Sequence, residues 1–413
     1  MTLSRRDLLA LAAAVPAYAG LASARVPARA RRPLPHDPSP DDEAAWERIA
    51  QEFVIAGLHL NTGTVGASPL PVLEATIHHL RAFERMIGQE AVDGPALHAE
   101  LEAFLGAWPG SVAVVRNTTE AMSAVAAGID LKPGDEVVST THEHVGGRCC
   151  WELLAARRGV VYKTFVPPLN PTSDAELAAA WMAQVTPRTK VFSISHVLFT
   201  TGMLQPVQAL VRMARERGII TVIDGAHPPG LLELNLRDLD ADFYASSPHK
   251  WLLAPKGTGL LVVRPDRMAT TWPLIGSGDW AATDIRRFEH VGTSNESLLA
   301  GLRAAVAFQQ SIGRTAIEQR TRVLATQLHG LLAKVPGVEI TSPTRPEFRS
   351  AMVSFRMART TATALQAYLN GHRIRTRRIA EGGLEYLRLS THIYVLPRDL
   401  ERTVALLRDA PRA

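Results

Sequence analysis

The chain has 413 residues, 46% of them hydrophobic, enough for a substantial core and more than one domain. Its formal net charge of +5 is spread out, with no polybasic block or basic–aromatic interleaving, which argues against a nucleic-acid partner. Only Cys149 and Cys150 are cysteines, and adjacent residues cannot staple distant parts of a fold.

At the start of the chain, Ser4-Arg5-Arg6-Asp7-Leu8-Leu9 precedes an uncharged, alanine-rich run ending Ala22-Ser23-Ala24. Paired arginines, a modest apolar stretch and a small-x-small site match a twin-arginine export signal over 1–24. The expectation is engagement of the twin-arginine machinery and a periplasmic destination. The run is too short and weakly hydrophobic for a stable membrane span. Residues 25–42, rich in Pro, Arg and Ala, read as a linker.

Glu43 to Phe53 has the pattern of a short amphipathic helix, and His59 to Gly66 is a glycine-rich loop. Pro71 to Ile87 and Pro95 to Leu105 carry apolar residues at helical spacing. Strands are then expected at 112–115, 136–139, 160–165, 190–195 and 219–223. Helices between them run from Asn117 through Ala127, then over 148–157, 175–185 and 207–217. Such alternation, with apolar β-branched strands, predicts an α/β fold whose large, doubly wound, mostly parallel sheet is covered on both faces. After Gly292 come helices at 298–311 and 316–335. Shorter strands at 338–341, 352–355 and 385–389 follow, with helices at 361–370 and 399–408. The expected organisation is a large domain over 43–291, with an N-terminal arm, and a smaller C-terminal α/β domain over 292–413.

The chemistry converges on Asp242 to Gly259. A short strand ending near Ala245 is broken by Ser246-Ser247-Pro248, and Lys250 follows in a polar turn before the apolar run 260–263. A lysine at a sheet edge can be desolvated, lose its proton and form a Schiff base with an aldehyde. The chain has six lysines, at 132, 163, 190, 250, 256 and 334, so one flanked by Ser, His and Pro stands out. Lys256, in a Pro-Lys-Gly turn, suits a solvated loop better. Upstream, the run 219–223 ends in Asp224 and is followed by Gly225-Ala226-His227, as at the carboxyl edge of a buried parallel strand. Thr118 and Thr119 open a helix after a strand, where free N–H groups and hydroxyls suit a phosphate as well as an ordinary N-cap.

Strand, acid, strand, serine-rich turn and lysine together resemble the class V branch of pyridoxal 5'-phosphate (PLP) enzymes with the aspartate aminotransferase-type fold. Within that branch the isopenicillin N epimerases and cysteine desulfurases are most similar. The resemblance implies that Lys250 carries PLP and moves the α-proton of an amino-acid substrate. It places Asp224 at the pyridine nitrogen, His227 at the phenolic oxygen and His144 against the ring. Thr118, Thr119, Ser247 and His249 would hold the phosphate, Asn117 standing where the family has glycine. Thr293 would reach the phosphate of a neighbouring subunit, which implies a homodimer with shared sites. Arg388, in Tyr386-Leu-Arg388-Leu-Ser390, resembles the arginine that grips the substrate α-carboxylate. The arginine-rich loop 371–379 stands where cysteine desulfurases carry a nucleophilic cysteine, so sulfur transfer by the persulfide route is not expected. One of its arginines would read a second acidic group, unless the cluster is simply a solvated turn. No metal is expected. The implied activity is aminotransferase-type first. Epimerisation, tailoring of a peptide-bound amino acid and a non-catalytic binding role are the alternatives.

Overall fold

The computed structural model describes residues 33–85 and 91–410, so the expected export signal lies outside the described residues. Helix α1 (Glu43–Ala50) starts under an Asp42 cap and ends three residues short of the expected Phe53. Strand β1 (Leu58–His59), helix α2 (Leu70–Phe83) and helix α3 (Gly94–Leu105) complete the N-terminal arm. The alternating part follows: β2 (Val112–Val115), α4 (Thr118–Gly128), β3 (Glu136–Thr140), α5 (Val145–Arg158), β4 (Val161–Phe165), α6 (Asp174–Met182), β5 (Thr189–Ser195), α7 (Val207–Arg215) and β6 (Ile220–Asp224). Next come α8 (Leu236–Leu239), β7 (Phe243–Ser246), β8 (Gly259–Val263), α9 (Pro265–Met268) and α10 (Arg286–Glu289). The C-terminal part is α11 (Glu296–Ile312), α12 (Arg314–Leu332), β9 (Val338–Ile340), β10 (Met352–Met357), α13 (Ala362–Gly371), β11 (Ile374–Arg375), β12 (Arg377–Ile379), β13 (Tyr386–Ser390) and α14 (Pro397–Arg408).

Seven strands form the large sheet in the order β2-β8-β7-β6-β5-β3-β4, all parallel except β8, which runs against both neighbours. Side chains alternate across it with the two-residue period of a strand. Val138, Phe192, Ile223, Tyr244 and Leu260 enter one apolar core with residues of α3, α6, α7 and α11. Their neighbours Val137, Val191, Val222, Phe243 and Leu261 enter a second core with α4 and α5. This two-sided burial is why the strands read as continuous apolar runs. The carboxyl ends of β2, β3, β5, β6 and β7 share one edge, the position where ligands bind in open α/β sheets.

The smaller sheet is antiparallel, in the order β12-β13-β10-β9. Arg388 on β13 faces Arg377 on β12 in register. Separately, β1 pairs in parallel with β11, joining the N-terminal arm to the arginine-rich segment. That segment is therefore not the plain solvated turn weighed above; its ends are held in strand pairs.

Candidate active site

Nine of the ten expected site residues line one cavity of about 320 Å³ at the carboxyl edge of the large sheet: Thr118, Thr119, His144, Asp224, His227, Ser247, His249, Lys250 and Arg388. Thr293 does not line it and is exposed in the loop before α11. Local sequence explains each placement. Asn117 caps α4, its Oδ1 accepting from the Glu120 N–H at 2.9 Å, so Thr118 and Thr119 form the first turn. The Ser247 hydroxyl lies 2.8 Å from the Thr118 hydroxyl and accepts from its N–H at 3.2 Å. Hydroxyls and a helix N-terminus gathered on one side of the cavity favour an anion there.

His144 is the N-cap of α5, accepting the Gly146 N–H at 3.1 Å. The sequence led to a helix starting at Arg148; it starts at Val145 instead. Two glycines in a first turn weaken a helix, and tertiary packing is the reason they are here. A Cβ on Gly147 would sit 2.6 Å from Asp224 Oδ2, and one on Gly146 would sit 2.4 Å from Thr119 Oγ1. The start of α5 is thereby pressed against the acid and the start of α4.

Asp224 ends β6, its Oδ1 accepting from the Ala226 N–H at 3.0 Å. Burial pushes its carboxyl up, and the charge on Lys250 opposes that. Lys250, in the long connection between the antiparallel β7 and β8, is lowered to about 8, first by burial, with Asp224 pulling up and Arg388 and Arg377 pushing down. His227 accepts the Trp251 indole N–H on Nδ1 at 3.0 Å. An indole only donates, so the neutral ring carries its proton on Nε2. Burial lowers this histidine well below its usual value, consistent with a neutral ring. Conversely, His249 must donate from Nδ1 to the Thr258 carbonyl, at 2.9 Å.

Arg388 is 1% exposed. It donates to the Phe199 carbonyl at 2.7 Å, to Thr64 Oγ1 at 3.1 Å and to Asn61 Oδ1 at 3.3 Å. Its Nε has no partner, and no carboxylate among the described residues pairs with it. Burial lowers its pKa to about 9, Arg377 opposite pushes the same way, and the charge on Glu381 offsets part of this. A buried guanidinium without a counter-charge is costly unless an anion joins it.

Sequence reading marked the glycine-rich arm loop and the arginine-rich loop without singling out Gly63, Gly66 or Arg377, and gave Glu143 no role. Gly63 and Gly66 let the arm approach: a Cβ at Gly63 would lie 2.9 Å from Arg388 Nη2, and one at Gly66 2.0 Å from the Lys250 carbonyl. Glu143 is buried, accepting from Thr140 Oγ1 at 2.7 Å and Ser195 Oγ at 2.5 Å. Arg377 lines the cavity beside Arg388 and is paired with Glu381. The glycine spacing of the arm was a usable signal; for Glu143 only burial distinguishes it.

The sequence profile described as aminotransferase class-V matches residues 89–387. This chain belongs to that family. Isopenicillin N epimerase of Streptomyces clavuligerus is 34% identical over 386 residues, spanning 87% of this chain and 96% of that one. Its counterpart in Amycolatopsis lactamdurans is 31% identical over 393 residues, spanning 88% and 98%. A probable cysteine desulfurase of Xylella fastidiosa strain 9a5c is 28% identical over 407 residues, spanning 89% and 96%. Among solved structures, a variant of C-DES with glycine covalently linked to the PLP cofactor superposes with a TM-score of 0.79. It is 25% identical, over 87% of this chain and 99% of that one. The cysteine desulfurase CsdA of Escherichia coli, at 22% identity and a TM-score of 0.78 over 88% and 98%, shares the fold.

The class V enzyme is PLP-dependent, with the fold type I architecture. The residues present fit the cofactor: an amine, a buried carboxylate, two imidazoles of low basicity and a hydroxyl-lined helix N-terminus surround a cavity of suitable size.

Proposed function

We propose that this class V enzyme acts at the α-carbon of an amino acid, with amino transfer as its reaction type. The observation that carries the reading is a buried amine and a buried guanidinium with no carboxylate in contact among the described residues, both facing one cavity. Arg388 would take the substrate α-carboxylate through a bidentate contact. Lys250, with its pKa lowered to about 8, has an appreciable neutral fraction at physiological pH and would accept the α-proton. The phosphate would rest on Thr118, Thr119, Ser247 and His249, with Asp224 at the ring nitrogen, His227 at the phenolic oxygen and His144 over the ring. PLP, when bound, supplies a ring that stabilises negative charge at the α-carbon.

His144 and His227 line the cavity with Lys250 but are held neutral by burial, and among the described residues no Tyr, Cys or Glu lines it, which supports proton movement on one face, and hence transfer. Inversion is the second reading, favoured by the two isopenicillin N epimerases among the relatives. Persulfide chemistry has no support, because no cysteine follows Cys150 and burial drives that thiol far up. The proposal extends to a cofactor domain over 43–291 and a smaller domain over 292–413. It also includes a homodimer sharing Thr293 and twin-arginine export of the full chain on the strength of residues 4–24.

In the purified protein, PLP joined to the lysine should give a visible absorbance band that Lys250→Ala removes. With an amino-acid panel in deuterated buffer, release of a keto acid indicates transfer and inversion with label at Cα indicates epimerisation. No exchange with any member would sink the reading. For export, cell fractionation of the wild type beside an Arg5→Lys, Arg6→Lys variant decides: a wild type confined to the cytoplasm would overturn that part.

A further inference from the structure

Next to the active-site cavity lies a second, wider cleft of about 830 Å³ between the N-terminal arm and the segment 366–377. Thr64 and Arg377 line both, so the two spaces meet at those side chains. Among the described residues, four cations line the cleft, Lys256, Arg373, Arg375 and Arg377, and no Asp or Glu does. Glu381 pairs with Arg377 alone. Among the described residues no carboxylate pairs with Lys256, Arg373 or Arg375; the Lys256 amine has only the Ser68 hydroxyl, at 3.2 Å. Burial and the charge of Arg375 both lower Lys256.

The backbone carrying these charges is held in place. Pairing of β1 with β11 sets His59 opposite Arg375, and Arg373, at a φ of 61°, is fixed by its carbonyl accepting the Leu58 N–H at 2.9 Å. Arg377 and Arg388 are also directly opposed across β12 and β13, and like charges so placed repel. Lys256, Arg373 and Arg375, gathered on a pinned backbone with no counter-acid among the described residues, set up a positive field that favours an arriving anion. One carboxylate answers Arg388; it leaves the cleft unanswered.

We propose that the substrate is an amino acid whose side chain carries a second anionic group, and that this group passes Thr64 and Arg377 to rest among Lys256, Arg373 and Arg375. The inference builds on the amino-acid reading above and adds the substrate class. A free amino acid with a short neutral side chain would leave the cleft unused.

A matched pair of probes tests it. L-2-aminopimelate and L-2-aminoheptanoate have equal carbon chains and differ at the far carboxylate. Each is titrated into the PLP-loaded enzyme at low salt, following the visible absorbance of the bound cofactor. The diacid should bind at least about tenfold more tightly, the worth of one charge-assisted contact. In Arg375→Gln, at an exposed position, and in Lys256→Gln, that preference should fall to within about threefold. Equal binding of the two probes by the wild type, or a preference unchanged in both variants, overturns the cleft assignment and leaves the amino-acid reading standing. If neither probe perturbs the spectrum, the amino-acid reading fails as well.

Discussion

Burial acts in opposite directions on the two ionisable groups that define the cavity. Removing water disfavours either charge, so it lowers Lys250, to about 8, and raises Asp224, while their mutual attraction offsets part of each shift. Only the neutral amine adds to an aldehyde, so uptake of PLP by the apoprotein should accelerate as pH rises through about 8. Stopped-flow absorbance checks this; a rate flat from pH 6 to 9 would refute it. Glu143 offers a second test. Its carboxyl is pushed up from 4.5 to about 7, mainly by burial, with Ser195 and Thr140 pulling it down and Asp224 pushing it further up. The folded value lies above the unfolded one, so the folded protein keeps a proton that the unfolded chain releases. That contribution is complete below about pH 4.5 and drains away towards pH 7, at roughly 1.4 kcal/mol per pH unit. Glu143→Gln fixes the neutral form. Its Tm relative to wild type should climb across this window and level off above it, and a constant difference would exclude Glu143 as the titrating group.

At the level of elements, the beginning of α5 shows what neighbouring packing imposes. Ala at position 147 would raise helix propensity by about 1 kcal/mol, yet its Cβ would lie 2.6 Å from Asp224 Oδ2. Gly147→Ala should therefore weaken PLP binding by about tenfold or more without loss of helical circular dichroism. A more stable protein with unaltered PLP affinity would mean that Asp224 yields easily. Such contacts explain why this helix start was hard to read: Gly147 is set by a residue 77 positions later and Gly146 by one 27 positions earlier. By contrast, β3, β5 and β6 were legible, because strands buried on both faces are marked by apolar composition alone. The pairing of β1 with β11 was not, since two-residue strands carry no periodicity and their partners lie more than 300 residues apart. Lys250, Asp224 and Thr118 were legible because each sits where a strand ends, a position composition can mark. Arg377 was one arginine among several until β12 set it opposite Arg388.

For the molecule as a whole, the question is what covers its exposed apolar side chains. Leu73, Ile77 and Leu80, spaced by four and three residues along α2, are 39%, 46% and 47% exposed and lie on one helical face. Trp272 and Trp280, stacked with centroids 6.4 Å apart, are 59% and 51% exposed. Single exposed hydrophobes are ordinary, but a helical stripe and a stacked tryptophan pair are what a second copy of the chain would bury. This agrees with the exposed loop bearing Thr293, which lies outside the cavity of its own protomer. The full chain should therefore sediment as a dimer, and Ile77→Glu, placing a charge on the stripe, should shift it towards monomer. If Thr293 completes the neighbour's phosphate site, the monomeric variant should also bind PLP more weakly, by about tenfold for one lost phosphate contact. Thr293→Ala separates the effects: it should weaken PLP while leaving the dimer intact. A dimer whose PLP affinity ignores Thr293→Ala would confine each site to one chain, and a wild type that sediments as a monomer would leave the stripe to some other partner.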